Sequence, residues 1–385
     1  MQNNFLPFSK PCIDQNAIDE VIACIQSGWM TTGPRVEKFT TQLQNYLHAK
    51  HVLPLTSGTA GLHLALLALN LQPNDEVITT PLTFVATANT IVIAGGKPIF
   101  VDVEPDTYNI DVSKIEKVIT KYTKAIVPVH YAGSVCDMDA IYDLAQKHNL
   151  RVIEDAAHAI GAEYKNKKIG SFGDTQIFSF HPNKNITTGE GGCVTTDDDA
   201  IARSVSVNRF HGIDRTAWNR FSKEGSQHYD VIAPGFKYNM LDIQAAIGMH
   251  QLPMLDEFIQ KRTILANRYI EKLAHITALF LPKAPKYNIK HAWHLFTPLI
   301  KPKVAGFGRD EFMQKMKDCN IGTGLHYTAV HLFSLYQKQF GYKKGDFPCA
   351  EHIGDNIVSL PLFPAMTLSE QNRVLDAIER IFKNG

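Results

Sequence analysis

The chain has 385 residues, 44% of them hydrophobic and 20% charged, with a formal net charge of +1. That length exceeds what one hydrophobic core usually serves, so two domains are expected, and the near-neutral balance argues against a nucleic-acid binder. The six cysteines, Cys12, Cys24, Cys136, Cys193, Cys319 and Cys349, are scattered with no C-x-x-C spacing, which speaks against a zinc or dithiol motif and for small buried hydrophobes in a reducing compartment.

The opening residues MQNNFLPFSKP lack a basic segment followed by a long apolar stretch, and the apolar run from Leu62 to Leu71 is short and carries His63. A cytoplasmic protein with no membrane span is expected. From Val52 onward, short apolar runs alternate with amphipathic ones. Val52–Leu55, Glu76–Thr79, Pro98–Val103, Ala125–His130, Val152–Asp155, Gln176–Phe180 and Gly192–Thr196 read as strands. Leu62–Leu69, Phe84–Ala94, Val112–Ile119 and Met138–His148 read as helices between the earlier strands. This alternation predicts an α/β fold with a mainly parallel sheet and helices on both faces. After Leu241 the texture changes. Asp242–Leu255, Glu257–Ala274, Arg309–Asp318 and Leu368–Phe382 read as helices, and His294–Ile300 as a strand. The expected division is a large α/β domain over residues 1–250 and a smaller α+β domain over 251–385.

Three segments carry candidate chemistry. Thr56–Ser57–Gly58–Thr59–Ala60–Gly61 joins a strand to a helix. Small residues there let a backbone approach a phosphate, and the helix start supplies free N–H groups, though a plain capped turn would look the same. The strand Val152–Ile153–Glu154–Asp155 ends in two carboxylates and is followed by Ala156–Ala157–His158. An acid at the carboxyl end of a parallel strand sits where α/β folds contact ligands; helix capping by Asp155 and a core role for His158 are the alternatives. Finally, Phe178–Ser179–Phe180–His181–Pro182–Asn183–Lys184 runs from a strand into a polar loop that ends in Gly189–Glu190–Gly191–Gly192. A lysine crowded in such a loop loses solvation and becomes a nucleophilic amine, whereas a loose loop leaves it an ordinary surface charge. Together the three segments supply what pyridoxal phosphate (PLP) requires: a phosphate anchor, an acid for its ring nitrogen and a lysine for its aldehyde. Phe84 offers an aromatic face for the ring.

At these residues the chain resembles the DegT/DnrJ/StrS family of sugar aminotransferases, which have the fold type I PLP architecture. The likeness runs end to end, through Ser27–Gly28–Trp29–Met30–Thr31–Thr32–Gly33–Pro34, Ser57–Ala60, Val129–His130–Tyr131–Ala132–Gly133, Glu154–His158, Ser179–Gly192, Phe210–His211–Gly212, Trp293–His294–Leu295–Phe296 and Ser359–Leu360–Pro361–Leu362. The resemblance implies that Lys184 forms the Schiff base and moves the proton, that Asp155 partners the ring nitrogen with His158 beside the ring, and that Phe84 stacks on it. It implies that Thr59, Ala60 and Ser179 face the phosphate, and that Trp29, Thr31, His326 and Tyr327 are candidates for sugar or nucleotide contact. Relatives with histidine in place of the lysine act as dehydratases, which Lys184 argues against. The resemblance puts the segment Lys237–Tyr238–Asn239, where many members have N-Y-R, at a dimer interface, which implies that Lys237 or Asn239 reaches the cofactor phosphate or substrate pyrophosphate in the neighbouring site of a homodimer. The implied partners are L-glutamate or 2-oxoglutarate and a nucleotide-linked keto sugar. Phe5–Pro11, Pro234–Asn239, His291–Phe296 and Gly322–His326 are similar to the branch that forms UDP-4-amino-4-deoxy-L-arabinose. The stretch Trp218–Asn219–Arg220–Phe221 matches the family least securely.

Overall fold

The computed structural model describes residues 5–214 and 229–383; the Trp218–Phe221 stretch lies outside them. A seven-stranded sheet has the order β1-β9-β8-β5-β4-β2-β3. Its strands are β1 (His51–Leu55), β2 (Glu76–Thr79), β3 (Lys97–Phe100), β4 (Thr123–Val127), β5 (Arg151–Asp155), β8 (Thr175–Ser179) and β9 (Gly192–Thr196), with a small hairpin of β6 (Glu163–Tyr164) and β7 (Lys167–Lys168) standing apart. The strands from β8 to β3 pair in parallel, and only β9 runs against its two neighbours. The expected α/β class and mainly parallel sheet are present.

Both faces of the sheet are buried, which is why its strands read as unbroken apolar runs. The two-residue period sorts them. Ile126, Val152 and Phe178 enter a core with Phe39, Leu43 and Leu47 of α2 (Pro34–Leu47). Val127, Ile153 and Ile177 point to the other core, with Leu62, Leu64 and Leu66 of α3 (Gly58–Leu67). Helix α3 is apolar around most of its circumference because it is buried around most of it.

The sequence reading leaves several helices unassigned, among them α1 (Gln15–Gln26), α2 and Asp199–Asn208. The expected strand His294–Ile300 is reduced to Leu299–Ile300. Upstream of it the backbone turns through a left-handed Trp293, φ 47°, which no strand accommodates. The expected long helix Asp242–Leu255 breaks into Asp242–Gln251 and a 3₁₀ turn at Leu252–Met254, where Pro253 cannot donate to the helix.

A separate apolar core gathers the helices Arg309–Asp318 and Leu368–Lys383, together with Leu6 from the N-terminus. Helix Leu255–Leu273 belongs to both: Leu255, Phe258 and Ile259 enter a large-sheet core, and Leu265, Ala266, Tyr269 and Leu273 the second. We propose that the two domains part along this helix, with residues 5–11 returning to the second.

One carboxylate ties distant segments together. Asp242 is fully buried. Its Oδ1 accepts from the N–H groups of Gly33 (2.8 Å) and Val36 (3.0 Å), and its Oδ2 from Arg35 (3.1 Å). It therefore caps α2, whose preceding Gly33 has no side chain to do so. Asp242→Ala should cost about 1–3 kcal/mol, the price of leaving buried donors unmet, visible as a lower urea midpoint with an unchanged slope.

Candidate active site

Strands β1, β5 and β8 end at one edge of the sheet, and a cavity of about 470 Å³ opens there. Its walls include Ser57, Gly58 and Thr59 at the start of α3, Phe84, Asp155, His158, Ser179, Lys184, His326 and Tyr327. Of the expected site residues, these are the ones brought together.

Helix α3 points its N-terminus at the cavity. Ser57 Oγ accepts the Ala60 N–H (3.1 Å), so Ala60 is already satisfied and lies behind the wall. The N–H groups of Gly58 and Thr59, in the first turn, have no intrahelical acceptor. Gly192, opening β9, passes so close that an added Cβ would lie 2.5 Å from the Gly58 nitrogen and 2.6 Å from the Phe178 carbonyl; only glycine lets β9 and α3 meet here. The result is a compact anion-binding corner beside Ser179.

Asp155 is the last residue of β5 and is 6% exposed. Thr87 donates its hydroxyl to Oδ2 (2.7 Å), and the Ala157 N–H donates to Oδ1 (3.2 Å). Burial raises its pKa, and these bonds and the Lys184 charge offset part of that rise. Thr83, in the bend before the helix Val85–Ile93, and Thr87 within that helix share a hydrogen bond of 2.8 Å. Sequence reasoning missed both, although the i, i+4 threonine pair directly after Leu82 was a usable signal.

Lys184 is half-buried. No hydrogen bond or ion pair reaches its Nζ among the described residues, and desolvation, only partly countered by Asp155, draws its pKa down to about 8. An unpaired amine facing a cavity across from a buried carboxylate is a costly arrangement unless something binds between them.

His158 accepts the Ala132 N–H at Nδ1 (3.2 Å), and its Nε2 lies 3.0 Å from the Tyr327 hydroxyl. Burial, with Lys184 and His326 nearby, holds it neutral. Because Nδ1 accepts, the ring proton sits on Nε2 and is donated to the Tyr327 oxygen, leaving the Tyr327 proton free for a partner in the cavity. Gly133, at φ +90°, lets this turn pack: a Cβ there would lie 3.0 Å from the His158 carbonyl and 3.1 Å from the Trp293 nitrogen.

Three of the remaining expected residues, Trp29, Thr31 and Asn239, meet around Thr32 and Asp242. Asn239 donates to the Thr32 hydroxyl (2.6 Å), Trp29 Nε1 donates to the Thr32 carbonyl (3.2 Å), and the Thr31 carbonyl accepts from Asp242 (3.2 Å). Lys237 is exposed and lies over the Phe210 ring at 4.3 Å. None of Trp29, Thr31, Lys237 or Asn239 lines the cavity of its own chain. His181, Asn183 and Glu190, which do line it, were not singled out from the sequence. No helix among the described residues is long and apolar enough to cross a membrane.

The model of the DegT/DnrJ/EryC1/StrS aminotransferase family matches residues 11–379. The chain belongs to that family. It is 46% identical over 383 residues to the spore coat polysaccharide biosynthesis protein SpsC of Bacillus subtilis, covering 99% of this chain and 98% of the relative. It is 42% identical over 388 residues to the UDP-4-amino-4-deoxy-L-arabinose–oxoglutarate aminotransferase of Shewanella sediminis, covering both chains fully. The Streptococcus pneumoniae protein Spr1654, a proposed sugar aminotransferase solved in its PLP form, superposes with a TM-score of 0.90 at 29% identity over 99% of each chain. The Helicobacter pylori aminotransferase PseC, involved in pseudaminic acid biosynthesis, gives 0.90 at 30% identity over 99% of this chain and 100% of that one. This chain is thus a PLP-dependent sugar aminotransferase with the fold of its family, acting on a nucleotide-sugar ketone with a glutamate-type amino donor.

The depressed pKa of Lys184 gives a direct test. Its neutral amine accumulates from about pH 8 upward, whereas a solvated lysine stays protonated to about 10.4. Borohydride trapping of a small aldehyde, read by peptide mass spectrometry, should label Lys184 with a midpoint near pH 8 while surface lysines lag by about two pH units.

Proposed function

We propose that Lys184 holds PLP in this cavity and that the chain aminates the 4-keto group of a nucleotide-linked sugar, namely UDP-4-keto-arabinose, giving UDP-4-amino-4-deoxy-L-arabinose. The observation that carries the cofactor assignment is the unpaired Lys184 amine set across the cavity from the buried, doubly hydrogen-bonded Asp155. The cavity residues fit the cofactor: an N-terminal helix corner with Thr59 and Ser179 for its phosphate, Phe84 and His158 for its ring, and Asp155 for its nitrogen.

When bound, PLP supplies an aldehyde for the lysine and a ring that accepts the electron pair of a broken Cα–H bond. Asp155, fixed by Thr87 and Ala157, holds a proton on the ring nitrogen. Lys184 Nζ, released when L-glutamate enters, takes the proton from Cα and passes it on; its depressed pKa keeps a usable neutral fraction at physiological pH. 2-Oxoglutarate would leave with an oxygen taken from water, and its former amino nitrogen would stay with the bound cofactor. In the second half that nitrogen would pass to the sugar ketone, whose oxygen leaves as water, while the same Nζ delivers a proton to the former ketone carbon, in a ping-pong sequence. His326 and Tyr327 face the entering sugar from the cavity wall.

The choice of sugar rests on the 42% identity to the Shewanella enzyme and on the shared stretches Phe5–Pro11, Pro234–Asn239, His291–Phe296 and Gly322–His326. In that reading the product serves lipid A modification and polymyxin resistance. The 46% identity to SpsC favours a second reading, amination of another UDP- or dTDP-4-keto-6-deoxy sugar for a surface polysaccharide. We further propose a cytoplasmic homodimer with composite sites. Among the described residues Lys184 is the one lysine lining the cavity and no arginine lines it, so a neighbour's Lys237 or Asn239 would complete it. Asn239 Oδ1 is buried without a partner among the described residues, and Ile18, Ile22 and Ile25 line an exposed face of α1.

Glutamate-dependent amine formation should occur with UDP-4-keto-arabinose and be weak with a UDP-4-keto-6-deoxyhexose. Turnover of the hexose alone would refute the sugar and spare the reaction class. Lys184→Ala should lose about 10²–10⁴-fold in kcat, the usual weight of a proton-transferring group. Asp155→Asn should lose about 10²–10³-fold while still trapping PLP on Lys184 under borohydride.

A further inference from the structure

Arg262 lies within the helix Leu255–Leu273, outside the cavity, and is 2% exposed. Burial alone, with no acidic neighbour contributing, draws its guanidinium down to about 9, so it remains cationic at neutral pH. A buried cation without a carboxylate is costly and is retained only where it has other work. Its Nη1, which carries two protons, lies within hydrogen-bond distance of three carbonyls, those of Trp293 (3.3 Å), His294 (3.2 Å) and Leu362 (2.9 Å), so one proton is shared.

The first two belong to a strap, residues 291–295, that runs behind the cavity. Trp293 takes its left-handed conformation there, with its N–H on His291 Nδ1 (2.8 Å). The strap meets the active-site turn through Ala292 N–H to the Gly133 carbonyl (3.0 Å) and Leu295 N–H to the Ala132 carbonyl (3.3 Å). Asn185, the neighbour of Lys184, donates to the Ala292 carbonyl (2.7 Å). The His294 ring packs 4.4 Å from the His158 ring, and neither of its nitrogens has a partner among the described residues. His294 therefore acts on His158 through shape and placement. One strap thus backs the His158 ring and anchors the Lys184 loop.

We propose that Arg262 is a positioning residue for amino transfer: by gathering three carbonyls it fixes the strap that seats His294 behind His158 and Asn185 beside Lys184. The proposal rests on the cofactor reading above. A lysine should substitute in part, because a single nitrogen makes all three contacts and an ammonium has three donors, although its stem ends one bond short of Nη1.

The test compares the wild-type holoenzyme with Arg262→Met, Arg262→Lys and His294→Ala. PLP affinity, borohydride trapping on Lys184, kcat and KM for the nucleotide sugar, and thermal midpoint are measured for each. Arg262→Met should weaken PLP binding and lower kcat, each by about tenfold or more, with KM changed little, as expected when catalytic groups are misplaced. Arg262→Lys should restore both in part. His294→Ala, which leaves the backbone cage intact, should reproduce the kcat loss at a near-wild-type thermal midpoint. If Arg262→Met yields no soluble protein, His294→Ala decides alone. The proposal falls if His294→Ala keeps wild-type PLP affinity and kcat, or if lysine fails to rescue a soluble methionine variant. Failure of the wild-type chain to take up PLP at Lys184 would overturn the cofactor reading instead.

Discussion

A carboxylate held at the buried end of a parallel strand is the constraint on which this site depends. Asp155 sits where β5 leaves the sheet, and water is replaced there by Thr87, the Ala157 amide and the walls of the cavity. Desolvation makes its charge expensive and so makes a cationic partner valuable. The same dry surroundings lower the pKa of Lys184. Opposite charges are thus held near one another yet, among the described residues, left without a direct ion pair. That is the condition in which a ligand carrying a basic ring nitrogen and an aldehyde gains most by entering.

The sheet makes this possible by direction. Strands β1, β5 and β8 deliver the α3 turn, Asp155 and the Lys184 loop to one edge, although the three segments are far apart in the chain. The reversed strand β9 brings Gly192 back against the α3 turn and closes the corner. The second core then reaches the site from behind, through helix Leu255–Leu273 and the strap that Arg262 gathers. His158 is consequently fixed from three sides, by the Ala132 amide, the Tyr327 hydroxyl and the His294 ring.

Where sequence reasoning fell short, the reasons are physical. His294–Ile300 has the composition of a strand, but Arg262 and the left-handed Trp293 bend its first half into a strap. Strand propensity gave way there to contacts from a helix some thirty residues upstream. The family resemblance places Ala60 with the phosphate-side residues, yet its amide is taken by Ser57, a choice of cap geometry that residue identity does not reveal. Arg262 reads locally as one charged position on a polar helix. Only its burial shows it to be a clamp.

The sequence by itself determined the alternation of buried strands and helices, the order of turn, acid and lysine, and, through motifs spanning the chain, the family and its cofactor. Those features are local: a two-residue period, a capped helix start and a strand-end acid are written in adjacent residues. The tertiary structure alone decided that Asp155 is buried, that Lys184 has no partner among the described residues, and that Trp29, Thr31, Lys237 and Asn239 lie away from the cavity of their own chain. Desolvation and the meeting of distant segments depend on every atom packed around a group, and no stretch of chain carries that information alone.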